Sequence, residues 1–430
     1  MRAGLQALLD LCVTTRSGER RTVLLACACN FLLLADYYVL RPVRDTMATQ
    51  FSAAQLNGLF LGSFLIMLAS APLYSWLVGR IRLTRLLPGL FWFWFGNLLL
   101  FALVVGAAAG NRWVAASYFL WFSVVNLYLI SVFWTLMVEL FTDSQATRVF
   151  AFIAAGGSVG AILGPLFTRW RVVAIGLDGL LWWGAGGFLL VIGLVHLLVR
   201  EKDRLIAQGL LTPRSTLDHA LPGSPLAGLR ALFESRYMRR QALFVLLMTW
   251  VATIGYFLQT RIIAGRIVAV TSRALAIADI DLAVNILTAL VLILGLARFV
   301  RRFGVTATLV LNPLIMSASF VALGLSPSLL MVQILQVVRR VTQYAIARPS
   351  REMCFTVLDQ EQRYKAKNVL DTTVYRFGDV TAALLQEGLT LAGSGLLASV
   401  ALGVAVSALW GGSALGLGRH FERLRPRTSR

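Results

Sequence analysis

The chain has 430 residues, of which 58% are hydrophobic and only 14% charged. With a mean hydropathy of +0.75, this excludes an ordinary soluble domain and points to a polytopic membrane protein, with room for ten to twelve spans at about 20 residues each. The net charge of +20 would suggest nucleic acid in a soluble protein. Here most of it falls in short loops and tails between apolar runs, where it sets orientation.

The N-terminal stretch carries Arg2, Arg16, Arg20 and Arg21 ahead of an apolar run, and Leu24-Leu25-Ala26-Cys27 resembles a lipoprotein cleavage box. Only Thr22 to Ala26 separates the basic pair from that cysteine, too short for a signal-peptide core, so a first membrane helix is expected. Apolar runs then predict twelve spans: 22–42, 54–78, 86–108, 112–140, 145–168, 173–199, 239–262, 277–299, 303–324, 327–347, 366–390 and 393–417. Arg80, Arg82 and Arg85 follow the second span, and Arg298, Arg301 and Arg302 follow the eighth. The 200–238 connection and the tail are also basic, which predicts both termini on the cytoplasmic side.

Polar residues at helical spacing mark candidate faces. In the first span Tyr37, Arg41, Arg44 and Asp45 share about a 100° arc, and Pro42 interrupts the hydrogen-bond ladder among them. The fourth span carries Tyr128, Ser131, Thr135, Glu139 and Thr142, and the seventh Thr249, Thr253, Tyr256 and Thr260. In the fifth, Gly156, Gly160 and Gly164 form a small-xxx-small ridge for close helix contact, not a phosphate loop, since no strand can precede it and no Lys-Ser/Thr follows.

The most polar stretch runs from Ala347 to Asp379, between two membrane-length runs. It extends a stripe of Arg340, Tyr344, Arg348 and Arg351 and leads into another of Asn368, Thr372, Arg376 and Asp379. Charged groups at membrane depth cost roughly 2.5–3.5 kcal/mol each on insertion scales, so a chain that keeps them there usually needs them. Asp359 to Lys365 is expected to be a solvated loop. The cysteines (Cys12, Cys27, Cys29, Cys354) and histidines (His196, His219, His420) show no metal-ligand spacing, and no nucleophile–base–acid set emerges. No metal, no cofactor and no enzymatic activity are therefore expected.

The halves match. Basic turns follow the second and eighth spans, and the polar run Phe141 to Arg148 before the fifth is echoed by Leu358 to Lys365 before the eleventh. Two pseudo-symmetric six-helix bundles, 1–200 and 239–418, joined by a Pro- and Gly-containing cytoplasmic linker at 201–238 and followed by a basic tail at 419–430, are the pattern of a major-facilitator-type transporter. The fold class expected is an all-α membrane protein with twelve transmembrane helices.

Tyr37-Tyr-Val-Leu-Arg-Pro-Val-Arg-Asp-Thr46, Phe150 through Gly164-Pro165, and Arg348-Pro-Ser-Arg-Glu through Tyr375-Arg-Phe-Gly-Asp379 resemble bacterial members of the ATP/ADP-carrier family, a distant branch of the major facilitators. The resemblance implies a twelve-helix fold, a multi-pass place in a bacterial inner membrane, and exchange of nucleotides. It also implies that Arg41 and Arg44 contact phosphate.

The reading that follows is a secondary carrier for an anionic, phosphate-bearing solute, working by alternating access and as a monomer. Its binding residues would be Tyr37, Arg41, Arg44, Arg340, Tyr344, Arg348, Arg351 and Arg376, because guanidinium groups suit bidentate phosphate contact. Asp45, Glu139, Asp371 and Asp379 would serve as counter-ions or carry a coupled proton. By count Glu352, Asp371 and Asp379 are fewer than Arg41, Arg44, Arg340, Arg348, Arg351 and Arg376, so a net positive field is expected in the cavity that the two halves would share. The partners are the solute and the bilayer, not nucleic acid. A proton-coupled exporter of an amphipathic solute is the alternative in the same class, and a non-transporting sensor or scaffold the alternative outside it.

Overall fold

The computed structural model describes residues 19–81, 83–107, 110–207, 235–294, 296–357 and 369–424. Cys12, Arg82, His219, the stretch Asp359 to Lys365, Asn368, most of the 201–238 connection and the tail from Arg425 lie outside them, as do the side chains of Arg298, Arg301 and Thr372. The described chain is almost entirely helical: α1 (Arg20–Ala48), α2 (Ala53–Arg80), α3 (Leu83–Ala107), α4 (Arg112–Leu140), α5 (Asp143–Ala207), α6 (Arg236–Arg266), α7 (Val270–Leu294), α8 (Leu296–Leu325), α9 (Leu329–Thr342), α10 (Arg348–Cys354), α11 (Tyr375–Leu391) and α12 (Leu396–Leu424). Helices suit an apolar chain because lipid offers no partner for unpaired backbone groups. Side-chain caps fix several starts: Asn111 accepts from the Trp113 amide at 2.9 Å, and Ser328 from that of Met331 at 3.2 Å.

Nine of the described helices are long and apolar enough to cross a membrane, so the expected twelve spans are not each matched by a helix of their own. The difference has two causes. The fifth and sixth expected spans share α5, which is broken by Gly176 at φ 70°, a value side chains with a Cβ rarely adopt. The tenth and eleventh are interrupted: α9 passes into α10 through a π-helical turn at Gln343–Ala347, and another at Leu370–Val374 precedes α11. Pro42 does not end α1, which runs through it to Ala48.

The chain forms two compact units. The first comprises residues 1–48, 65–220 and 269–282. Its main contact is α1 against α5, and the glycine ridge explains the closeness. A Cβ on Gly160 would collide with the Phe31 carbonyl oxygen, and one on Gly156 would sit 2.9 Å from that of Cys27. Beyond the break, Gly184 meets Leu40 and Gly187 meets Asp36, so α1 is clasped by both parts of α5.

The second unit comprises 49–64, 221–268 and 283–430. Its core holds Phe244, Phe320, Phe355 and Trp410 around α6, α8 and α12. Gly403 admits the Phe320 ring, which a Cβ would meet at 2.8 Å. The Tyr237 hydroxyl donates to the Cys354 carbonyl at 2.7 Å, tying α6 to the end of α10.

Candidate functional site

In the first unit the expected pair Arg41 and Arg44 lies in the last two turns of α1, and acids meet both. Arg41 pairs with Asp281 of α7 at 3.0 Å and with Asp45 at 3.6 Å. Arg44 holds Asp45 with two nitrogens, at 2.9 and 2.5 Å. Its guanidinium lies over Phe119 and Phe122 of α4, 5.4 and 5.7 Å from the ring centroids, and Tyr37 stacks on Phe122 at 5.4 Å. Nearby, Arg169 of α5 pairs with Asp279.

Asp281 is fully buried and was not among the expected residues. It adds an acid that the count of charges left out, and in this cluster two carboxylates face two guanidiniums. The acid pair Asp279-Ile-Asp281 inside an apolar run is a signal that would have marked it.

Glu139 is elsewhere. It is buried at the end of α4, where Lys202 holds it at 2.8 Å. The residue before Lys202, Glu201, pairs with Arg21 near the start of α1. That end of α1 is on the order of 30 Å along its axis from Arg41, so Glu139 is not a counter-ion to the arginine pair. Other members of its stripe have local partners: the Tyr128 hydroxyl is 2.8 Å from Ser70, and Thr135 donates to the Ser131 carbonyl at 2.9 Å.

The second unit holds the denser cluster. Arg376 of α11 pairs with Asp379 at 3.2 Å, and Thr253 of α6 donates to the other oxygen of Asp379 at 2.9 Å. Arg351 of α10 is buried and pairs with Asp371, in the second π turn, at 2.7 Å, and with Glu352 at 3.2 Å. Arg348, which is exposed, lies over Tyr344 at 5.0 Å. Tyr344, Arg348, Arg376 and Asp379 are all within electrostatic range of Tyr375, and Arg339 within range of Asp379.

The expected stripe on the tenth span does not hold as one face. Arg340 is 3% exposed and buried, while Arg348 is exposed. The π turn between them explains this. The Arg348 amide bonds back to the Gln343 carbonyl, five residues earlier, and the wider turn breaks the 3.6-residue phase. Arg339, which sequence spacing passed over, is positioned by Gln336 at 2.9 Å and Gln343 at 3.2 Å. Among the described residues from 339 to 379, Arg339, Arg340, Arg348, Arg351 and Arg376 outnumber Glu352, Asp371 and Asp379. No His, Cys, Asp or Glu grouping among the described residues could hold a metal ion.

Known proteins resemble this chain at two levels. Residues 229–410 match the sequence profile of the TLC ATP/ADP transporter family. ADP,ATP carrier protein 1 of Chlamydia trachomatis is 38% identical over 71 residues, and that of Chlamydia pneumoniae 38% over 69. The matched segment is 16% and 15% of this chain respectively, and about 13% of the length of either curated relative.

The fold is similar over nearly the whole chain to solved transporters. The nucleoside transporter NupG has a TM-score of 0.64 at 12% identity, with 94% of this chain and 99% of that one covered. A bacterial homolog of the human lysosomal transporter Spinster has a TM-score of 0.61 at 16% identity, covering 96% and 100%. The D-xylose–proton symporter has 0.62 at 13%, covering 95% and 98%. The chain is thus a multi-pass membrane protein with the fold of the major-facilitator transporters, and its second half, from residue 229 to residue 410, carries the sequence signature of the TLC ATP/ADP transporter family.

Proposed function

We propose that this protein is a secondary transporter that exchanges a phosphate-bearing, nucleotide-like anion across the membrane by alternating access. The observation that carries the reading is the arginine-rich cluster of the second unit, which lies inside the segment matching the TLC profile. Arg376 and Arg351 are held by Asp379 and Asp371, and such pairs keep guanidiniums aimed. A phosphate competes for them with two or three acceptor oxygens where each carboxylate offers one or two. Tyr344 gives a flat surface beside Arg348, and Tyr375 one beside Arg376. In the first unit Arg41 and Arg44 are candidates for a phosphate that displaces Asp281 and Asp45.

The basic turns and tails support a cytoplasmic (inner) membrane location with both ends on the cytoplasmic side. The organisation that goes with it is an N-terminal bundle at 1–200, a linker, a C-terminal bundle at 239–418 and a basic tail, working as a monomer.

The test is counterflow in proteoliposomes loaded with ADP and challenged with labelled ATP, ADP, sugar phosphates or neutral amphiphiles. Saturable exchange of a phosphate-bearing solute is expected, with Arg376→Gln and Arg44→Gln each weakening it by about 2–5 kcal/mol of binding where the contact is buried. Arg→Lys at either position should recover it only partly, because Lys keeps the charge and loses the fork. Transport of neutral amphiphiles alone, with both Gln variants at wild-type level, would overturn the reading.

A further inference from the structure

Six carboxylates among the described residues are buried: Asp36, Asp45, Glu139, Glu201, Asp281 and Asp379. Five of them have a base: Arg41 and Arg44 for Asp45, Lys202 for Glu139, Arg21 and Arg204 for Glu201, Arg41 for Asp281 and Arg376 for Asp379. Asp36 has none. It lies near the middle of α1, is 5% exposed, and its Oδ2 is buried with no hydrogen-bond partner.

The surroundings make room for a carboxyl and offer it no charge. Its Oδ1 faces Gly187 of α5, where a Cβ would come within 2.8 Å of it. In the second part of α5 the nearest titratable side chains, Asp178 and His196, stand on the order of two and a half turns from Gly187 on either side; in the first part, where Gly164 packs on Ala35 and Tyr38, Arg169 follows and is engaged by Asp279. From α4 the titratable neighbour is Tyr118, which lies in electrostatic range of Asp36, Arg44 and Asp45 and donates its hydroxyl to the Leu40 carbonyl at 3.2 Å. On α1 itself Arg41 and Arg44 are engaged by Asp281 and Asp45, and from α7 it is Asp281 that faces Arg41.

An ionised carboxylate so placed would be a buried charge without a counter-ion, which is strongly disfavoured. The neutral acid would not be.

We propose that Asp36 is a proton-binding site of this transporter, occupied by a proton in the conformation described here and emptied in another. The carboxylate takes one proton from water and becomes a carboxylic acid, and hydration of the site in the other conformation returns that proton to water. This assigns proton coupling to Asp36, in place of Asp45, Glu139, Asp371 and Asp379, which the sequence marked for it and which all have basic partners. The coupling rests on the transport reading above, whereas proton binding does not, and the experiment separates them.

The first arm uses the purified full chain without substrate. Infrared spectra with isotope-labelled aspartate, taken from mildly acidic to mildly alkaline pH, should show a carboxylic-acid carbonyl band that is lost in Asp36→Asn and kept in Glu139→Gln. A spectrum in which Asp36→Asn removes no such band at any pH overturns the proposal. So does a band abolished by exchanging potassium for sodium, since the site would then bind a cation.

The second arm measures ATP/ADP counterflow and pH-gradient-driven uptake in proteoliposomes. Asp36→Asn should retain counterflow and lose at least tenfold of the gradient-driven component. Gradient-driven uptake equal to wild type in Asp36→Asn overturns the coupling. If no nucleotide moves in the wild type, the transport reading fails while the infrared arm still decides whether Asp36 binds a proton. Asp36→Ala, melted alongside, shows whether any loss reflects misfolding.

Discussion

Replacing Lys202 with Met removes the base from a carboxylate that has nowhere else to turn. The Lys202 ammonium lies 2.8 Å from Glu139, and both residues are buried. At that distance and an effective dielectric of about 20, the attraction is about 6 kcal/mol, set against a desolvation cost of several kcal/mol per ion. The net value of the pair is therefore small, but its halves are not interchangeable. Lys202→Met leaves Glu139 charged and alone, which should cost about 3–5 kcal/mol. Adding Glu139→Gln removes the stranded charge and should restore stability to within about 1 kcal/mol of wild type, or exceed it.

Thermal unfolding in mild detergent, followed by a thiol-reactive dye, reads this directly. Cys29 and Cys354 are buried in the folded chain and become reactive on unfolding. The single variant should melt well below wild type and the double variant close to it, with counterflow intact in the double variant. If Lys202→Met melts with wild type, or if the double variant is no better than the single, the pair is not the buried unit described here. Loss of transport in a stable double variant would return Glu139 to a coupling role.

Two further outcomes are expected. Gly160→Ala places a Cβ against the Phe31 carbonyl, backbone that cannot turn aside, and should destabilise by about 1–3 kcal/mol; Gly186→Ala, with nothing within 4 Å, should not, and equal melting of the two would contradict the helix contact. For topology, Ser215→Cys and Ser429→Cys should both be labelled by a membrane-impermeant thiol reagent only from the cytoplasmic side, and periplasmic labelling of either would contradict the proposed orientation.

Much of this protein follows from its sequence alone, because lipid leaves the backbone little choice. Long apolar runs must be helical, since no other structure satisfies the backbone of a single span in lipid. The glycine ridge at Gly156, Gly160 and Gly164 could be read as a contact surface, since a small side chain every fourth residue admits a neighbouring backbone. The arginines of α1 and of the 340–376 stretch stood out because charge in an apolar setting is costly to keep.

What spacing could not decide was who pairs with whom. Asp281 meets Arg41 from a helix some 240 positions later in the chain, and Lys202 meets Glu139 across the whole length of α5. Those encounters balance the charge around Arg41 and Arg44 and hold Glu139 apart from it. The π turns at Gln343–Ala347 and Leu370–Val374 were equally hidden, because a 3.6-residue period assumes the regular ladder that they interrupt. They set Arg340 inward and Arg348 outward. Asp36 was legible as a residue but not as a site, since its distinction is the lack of a partner, and only the packed helices around it determine that.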